Sequence, residues 1–284
     1  MKKLTFIAAV VAALSLTSCE KEMLNANKTD KQEDMVKVTM TFTPYEQHSM
    51  GTTRTVTSIS EYCTRLDIWI NDGETTTAYH QASVDDGFGS LSVTLNLTKT
   101  YTIYAVAHRC TSDATLTDDV ISFPDDKLTH SFFVTRQFTP TKGMSLDLTM
   151  SRIVAQFQFT TTDAVPDWCK AIRFTVYNIF DRWNVAGYGV HELNRISTIN
   201  ITNKNQDGTV TCNVYAIVTS TSTNHDVLVE ALDNNGDVQE SHLFEDVPLR
   251  NEYRTIASGA FFTDAASGFS FKADDWTGII DYGF

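Results

Sequence analysis

Few residues stand at spacings that would support catalysis or metal binding. The pair His191-Glu192 begins like the helical zinc motif H-E-x-x-H, but Arg195 occupies the position of the second histidine. Gly187–Gly189 lacks the third glycine of a dinucleotide-binding loop. Asp233–Asp237 has the residue types of a calcium loop, but Phe244 replaces the distal glutamate, so a hairpin turn is predicted. The sequence therefore predicts no cofactor, no metal site and no enzyme.

The scattered histidines and tryptophans are interpreted as structural residues, with no role in catalysis or ligand binding. His108-Arg109 ends a predicted strand, where a surface or rim position is expected. The tryptophans lie in or beside strand-like segments, which favours core packing over a sugar-stacking platform. These tryptophans are Trp69, Trp168, Trp183 and Trp276.

Four cysteines stand beyond the N-terminal region, at Cys63, Cys110, Cys169 and Cys212. Four cysteines allow three pairings. Division of the chain into two halves suggests Cys63 with Cys110 and Cys169 with Cys212, because each pair then falls within one half. Four free, partly buried thiols are an equal alternative, since compartments outside the cytoplasm permit disulfides without requiring them.

The N-terminal residues have the order of a bacterial export signal. Lys2 and Lys3 are positive, and the apolar run Leu4–Leu16 is too short to span a bilayer. Small residues before Cys19 resemble the lipobox of bacterial lipoproteins, whose cysteine thiol receives a diacylglycerol before further acylation. The sequence therefore predicts a lipoprotein signal peptide over 1–18 and lipidation of Cys19. An ordinary secretory signal with a chance cysteine is the alternative.

A polar, highly charged segment follows the signal. Residues 19–35 offer almost nothing to bury, which predicts a flexible, lipidated tether. The whole chain has 22 basic and 35 acidic residues and a net charge of −13. Such an acidic chain has no basic surface left to neutralise phosphates, so nucleic acid is excluded as a partner.

The remaining sequence consists of short segments in which apolar and polar residues alternate. Val36–Phe42 has a period of two, which is typical of a half-buried strand, and similar segments recur after turn signals. These turn signals are Asn71-Asp72-Gly73, Asp207-Gly208 and Asn234-Asn235-Gly236. No segment has a sustained helical pattern, so any helix should be short. The pattern predicts an all-β fold of antiparallel sandwiches.

A break near Thr149–Arg152 divides the chain into two halves of ordinary domain size. Each half opens with an alternating strand, Val36–Phe42 in one and Ile153–Phe159 in the other. The predicted organisation is a signal peptide over 1–18, a tether over 19–35 and two β-sandwiches, N-terminal over 36–150 and C-terminal over 151–284.

Three stretches of the chain are similar to a set of strand motifs. Lys99–His108 is similar to the pattern "Y-T-hydrophobic-x-hydrophobic-x-A". Leu146–Phe157 is similar to "L-x-R-hydrophobic-A", and Val247–Thr255 is similar to "P-L-x-R-N-x-Y-x-T". Together they resemble the fimbrillin superfamily of type V pili, in which the second motif forms the passage into a second domain. The order and spacing match across nearly the whole mature chain. Within the superfamily the chain resembles the minor-subunit or anchor (FimB-like) group.

This resemblance implies two tandem transthyretin-like Greek-key β-sandwich domains and export to the outer membrane as a lipoprotein. It also implies assembly by strand exchange, in which a neighbour's C-terminal strand fills a groove left when an Arg-directed protease removes the first strand. Arg54 lies in the polar loop after Val36–Phe42 and is the candidate processing site. An ordinary exposed loop arginine is the alternative.

The sequence thus favours a non-enzymatic surface lipoprotein of the outer membrane that anchors or joins a fimbrium. Other fimbrial subunits are the expected partners, and a host surface or glycan is a further candidate. A carbohydrate-binding surface lipoprotein is the alternative function, because tandem sandwiches with exposed aromatic residues would also serve glycan binding. A hydrolase with carboxylates from separate loops is a third hypothesis, which no convergent motif supports.

Overall fold

A computed structural model of the protein describes residues 34–44, 58–218, 224–263, 268–275 and 278–282. The predicted signal peptide, Cys19, nearly all of the tether, Arg54 and Trp276 lie outside the described residues. In the part of the chain that the structure describes, no helix is long and apolar enough to cross a membrane.

The regular secondary structure of the described residues is almost entirely β-strand, so the predicted all-β fold is confirmed. The strands of the first half are β1 (Met35–Pro44), β2 (Arg65–Asn71), β3 (Thr76–Ala82), β4 (Ser90–Asn96), β5 (Tyr101–His108), β6 (Thr115–Thr117), β7 (Val120–Ser122), β8 (Ser131–Phe138) and β9 (Ser145–Arg152). The strands of the second half are β10 (Ala155–Thr161), β11 (Ala171–Asn184), β12 (Tyr188–Asn200), β13 (Thr211–Ala216), β14 (Asn224–Leu232), β15 (Val238–Pro248), β16 (Tyr253–Gly259), β17 (Ser270–Asp275) and β18 (Gly278–Tyr282). The helix α1 (Ile59–Tyr62) and a 3₁₀ turn at Pro124–Asp126 are both short, as predicted.

The strands of the first half follow the order β3-β2-β5-β8-β9-β1-β4. Strands β8 and β9 pair at only two positions, Phe132 with Arg152 and Phe133 with Ser151, so this short contact forms a corner between two portions of sheet. Side chains from both portions meet in one apolar cluster, which includes Met40 of β1 and Ile68 of β2. This arrangement is a sandwich with its core between the two portions.

The second half is built from two sheets. One has the order β13-β10-β16-β17-β18, and the other has β15-β14-β11-β7-β6 with β12 on β11. Aromatic residues from both sheets form the core between them, among them Phe159 and Phe174, whose ring centroids lie 5.8 Å apart. Strand β10 is antiparallel to β13 and parallel to β16, just as β1 is antiparallel to β4 and parallel to β9.

The connection between β5 and β8 reaches into the second half. Its hairpin β6–β7 extends the sheet of β11, with Ile121 opposite Trp183. A third apolar cluster joins Trp69 and Phe133 of the first half to Trp183 of the second. The described strands all belong to one compact unit, Met35–Phe284. The division into two domains at residue 150 stays a prediction.

Several predictions about single residues can be compared with the structure. Gly73, Gly208 and Gly236 have φ values of 91°, 80° and 85°, which confirms the predicted turns, because glycine adopts positive φ without steric cost. Trp69 and Trp183 are buried as predicted, whereas Trp168 is 39% exposed. For Trp168 the core prediction is wrong, because its ring lies at the surface against Phe262.

Candidate functional site: the first strand and its groove

Strand β1 occupies an inner position in its sheet. Its register with β4 runs from Met35 opposite Asn96 to Thr41 opposite Ser90, and its parallel register with β9 begins only at Thr39 opposite Ser145. The N-terminal half of β1 therefore pairs on one side alone. An open depression of about 690 Å³ lies beside this half and is lined by Val36, Lys37, Met144 and Ser145, among others.

The alternating sequence of β1 explains how it is held. Val38 and Met40 are fully buried and Phe42 is 2% exposed, all on the face toward the core, while Lys37 and Thr41 are exposed. Burial of an apolar side chain of this size contributes about 1.5–3 kcal/mol. Since these side chains fill the space between β4 and β9, loss of β1 would expose an apolar groove with two unpaired strand edges.

The predicted site residues fall into two groups. Cys19 and Arg54 lie outside the described residues. The four remaining cysteines are buried free thiols, which is the second of the two alternatives drawn from the sequence. Burial raises the pKa of both Cys63 and Cys212 to about 12, so their thiols stay protonated and unreactive at neutral pH.

The members of each suggested cysteine pair lie in the same part of the fold. Cys169 and Cys212 belong to one apolar core cluster. The hydroxyl of Thr64, the residue after Cys63, donates to the backbone carbonyl of Cys110 at 3.1 Å. The disulfides themselves stay a prediction for an oxidising compartment.

A buried carboxylate on the outer face of the first sheet was not predicted. Asp67 of β2 lies directly opposite His80 of β3, and its Oδ1 accepts a hydrogen bond from His80 Nδ1 at 2.6 Å. Its Oδ2 accepts from His108 Nε2 at 2.7 Å and from the backbone N–H of Ala114 at 2.9 Å. Asp67 and His108 are both fully buried. The pairing of β2 with β3 brings Asp67 and His80 together, whereas His108 and Ala114 come from the end of β5 and the connection after it.

The surface or rim position predicted for His108 is therefore wrong, although Arg109 is exposed as expected. The connection after β5 folds back over the strand end, and Phe123 packs edge-on against the His108 ring with centroids 5.8 Å apart. The backbone N–H of Cys110 donates to His108 Nδ1 at 3.2 Å, so the hydrogen on Nε2 is the one that Asp67 accepts.

A second polar network joins the two halves. Arg152, the arginine of the junction motif, is 4% exposed, and its Nη1 donates to His130 Nδ1 at 2.6 Å. His130 Nε2 lies 2.9 Å from the hydroxyl of Tyr215 on β13. Burial, then the charges of Arg152 and Arg109, lower the pKa of His130 to about 4. His130 is therefore neutral at pH 7 and connects the residue before β8 to the second half.

The fold defines a class of all-β sandwich proteins, and comparison with known proteins assigns the family. The chain belongs to DUF6562, a family of unknown function, whose profile matches residues 29–280. No curated protein matches the sequence.

Several solved structures resemble this fold along most of their length. A "putative adhesin" from Bacteroides ovatus has 11% identity and a TM-score of 0.52, with 88% of this chain and 96% of that chain covered. A "putative adhesin" from Bacteroides thetaiotaomicron has 10% identity and the same TM-score of 0.52, with 88% and 98% covered. "Putative polysaccharide binding proteins (DUF1812)" from the same species have 9% identity and a TM-score of 0.51, with 87% and 98% covered. At these identities the likeness establishes a shared fold.

Proposed function

We propose that this protein is a non-enzymatic outer-membrane surface lipoprotein that serves as a fimbrial anchor or minor subunit and assembles by β-strand addition. The observation that carries the proposal is the inner position of β1, whose buried side chains fill a groove between β4 and β9. The lipobox at Cys19 and the three fimbrillin-like stretches support it. The structural neighbours described as putative adhesins support the same broad role.

The position of β1 near the start of the mature chain allows either its removal by proteolysis or its retention in the groove. A predicted lipidated tether precedes it, and the segment of the sequence that carries Arg54 follows it. A chain cleaved after Arg54 would lose β1 and offer its groove to a neighbour's strand. A chain that keeps β1 has a filled groove and stays attached to its lipid, which is what an anchor requires. We therefore favour the anchor form.

The proposed donor is the last strand. Among the described strands, β18 pairs with β17 alone and so lies at the edge of its sheet. An edge strand can leave its own sheet or pair with another chain, because only one of its sides is hydrogen-bonded within the domain.

Affinity purification from fimbriated cells tests this function, with Cys19→Ser as the informative variant. We expect fimbrial subunits to co-purify with the wild type, and fimbriae to be released into the medium when Cys19 cannot be lipidated. Ser18→Ala keeps a small residue before the cysteine and serves as the matched control, with fimbriae retained on cells. Normal, cell-attached fimbriae in a deletion strain, with no subunit in the purified fraction, would contradict the proposal.

Carbohydrate binding is the second candidate function, and one observation favours it. Trp168 is 39% exposed and packs edge-on against Phe262 with ring centroids 5.8 Å apart, so it offers an aromatic surface of the kind on which sugars stack. Loss of glycan-array binding in Trp168→Ala, with retention in the buried-site control Trp69→Phe, would support this function. Absence of glycan binding by the wild type would refute it.

A further inference from the structure

We propose that Asp67, His80 and Asp113 bind a divalent transition-metal ion of the zinc class. The three side chains each offer one ligand atom, and these atoms all lie within 4.8 Å of one another. His80 Nδ1 is 2.6 Å from Asp67 Oδ1 and 4.0 Å from Asp113 Oδ2. Ligand atoms of a tetrahedral zinc site stand about 3.3 Å apart, since each bond to the metal is about 2.0–2.2 Å long. The two observed distances bracket this value, so small side-chain rotations would complete the site.

The buried surroundings fix the carboxylate of Asp67 in the orientation that a metal needs. Its Oδ2 is held by His108 Nε2 at 2.7 Å and by the Ala114 N–H at 2.9 Å, which leaves Oδ1 directed at His80. Hydrogen-bond partners of this kind, behind the ligands, orient them and are typical of protein metal sites. Asp67 and His108 are fully buried, so this support is rigid.

The cluster of Asp67, His80 and Asp113 is open to solvent on the side of His80 and Asp113. The side chains of His80 and Asp113 are 37% and 42% exposed, which lets an ion enter and leaves room for water as a fourth ligand. Arg65 Nη1 lies 3.3 Å from Asp113 Oδ1, the oxygen that does not face His80, so this ion pair holds Asp113 without occupying its ligand atom.

The donor set selects the class of ion. One imidazole nitrogen with two carboxylate oxygens suits zinc, copper, iron or nickel, whereas calcium and magnesium prefer ligand sets made of oxygen alone. On binding, the hydrogen between Nδ1 and Oδ1 is displaced, and the ring carries its hydrogen on Nε2 instead.

The site would join three pieces of the first half. Asp67 and His80 lie on neighbouring strands β2 and β3, and Asp113 lies in the connection that leads to the β6–β7 hairpin. A bound ion would therefore fasten this connection to the sheet. Since binding to the folded state alone stabilises a protein, the melting temperature should rise with the metal concentration.

Zinc titration of the EDTA-stripped full-length protein tests the site, with His80→Gln and Asp113→Asn as partly exposed variants that preserve the fold by circular dichroism. We expect one Zn²⁺ per wild-type chain, and an affinity at least tenfold weaker in each variant. His191→Gln is the matched control, because His191 Nδ1 bonds Asp181 Oδ1 at 2.8 Å in a histidine–aspartate pair outside the three-residue cluster. This control should bind zinc as the wild type does.

Cobalt spectroscopy identifies the ligand atoms independently. Co²⁺ in place of zinc should give d–d absorption without the sulfur-to-metal charge-transfer band that the cysteines would produce. Equal zinc binding by His80→Gln and the wild type, or a thiolate band in the cobalt spectrum, would overturn the proposal. Failure of the wild-type protein to bind Zn²⁺ would also overturn the proposal.

Discussion

The partly buried histidine between the two halves, His130, predicts how stability depends on pH. Burial and the neighbouring guanidinium of Arg152 lower the pKa of His130 from 6.5 to about 4 in the folded protein. Between these two values the unfolded chain binds a proton that the folded chain does not bind, so the free energy of unfolding falls as the pH is lowered. The contribution is fully present above pH 6.5 and is lost progressively toward pH 4.

The magnitude follows from the same two pKa values. A difference of one pKa unit corresponds to about 1.4 kcal/mol. Protonation of His130 should therefore lower the free energy of unfolding by about 2 kcal/mol between pH 7 and pH 5, and by about 3 kcal/mol between pH 7 and pH 4. Protonation at Nδ1 would also break the hydrogen bond that Arg152 donates to it.

Urea unfolding of the wild type and of His130→Gln at several pH values measures this effect. Each protein is compared with its own stability at pH 7, so that loss of the ring itself cancels. We expect the wild type to lose about 2 kcal/mol more than the variant between pH 7 and pH 5. Parallel pH profiles for the two proteins, or an NMR titration of the His130 ring with a midpoint near 6.5, would refute the reasoning.

Three further predictions concern packing and thiol reactivity. In urea unfolding, Met40→Ala should lower the free energy of unfolding by about 2–5 kcal/mol, because Met40 is fully buried in the core. The control Thr41→Ala, at the exposed neighbouring position, should change it by about 0.5 kcal/mol or less. Gly189→Ala should lower the free energy of unfolding by about 1–3 kcal/mol in the same assay. The added Cβ would lie 2.7 Å from Ile217 Cγ2 and 2.9 Å from Phe180 Cβ. Stability equal to that of the wild type would contradict this prediction and show that the contact relaxes freely. In the reduced protein the four buried thiols should react with Ellman's reagent only after unfolding, and rapid reaction of the native protein would contradict their burial.

The regular part of the fold was predictable because burial follows the sequence pattern there. The alternation of β1 places every second side chain in the core, and the glycine turns fix where neighbouring strands end. Strand β3 escaped prediction because it is largely exposed and carries almost no apolar alternation. The hairpin β6–β7 escaped because each strand has only three residues, and its pairing partner β11 lies in the other half of the sequence.

The polar clusters could not be predicted because they depend on contacts across strands. Asp67 and His80 meet through the register of β2 with β3, and His108 is buried by a connection whose path the sequence does not reveal. Arg152 was noticed as part of a family-like motif, but its contact with His130 and its packing over the ring of Phe132, 4.3 Å from the ring centroid, required the structure.

Intact-mass and N-terminal analysis of the protein recovered from cells tests the proposed anchor role most directly. The proposal predicts a mature chain that begins at Cys19, carries acyl chains there and retains β1. A new terminus at Thr55 would contradict the anchor role and indicate a polymerising subunit with an open groove. A chain with neither modification would contradict the whole proposal of a lipid-held component that assembles through its strands.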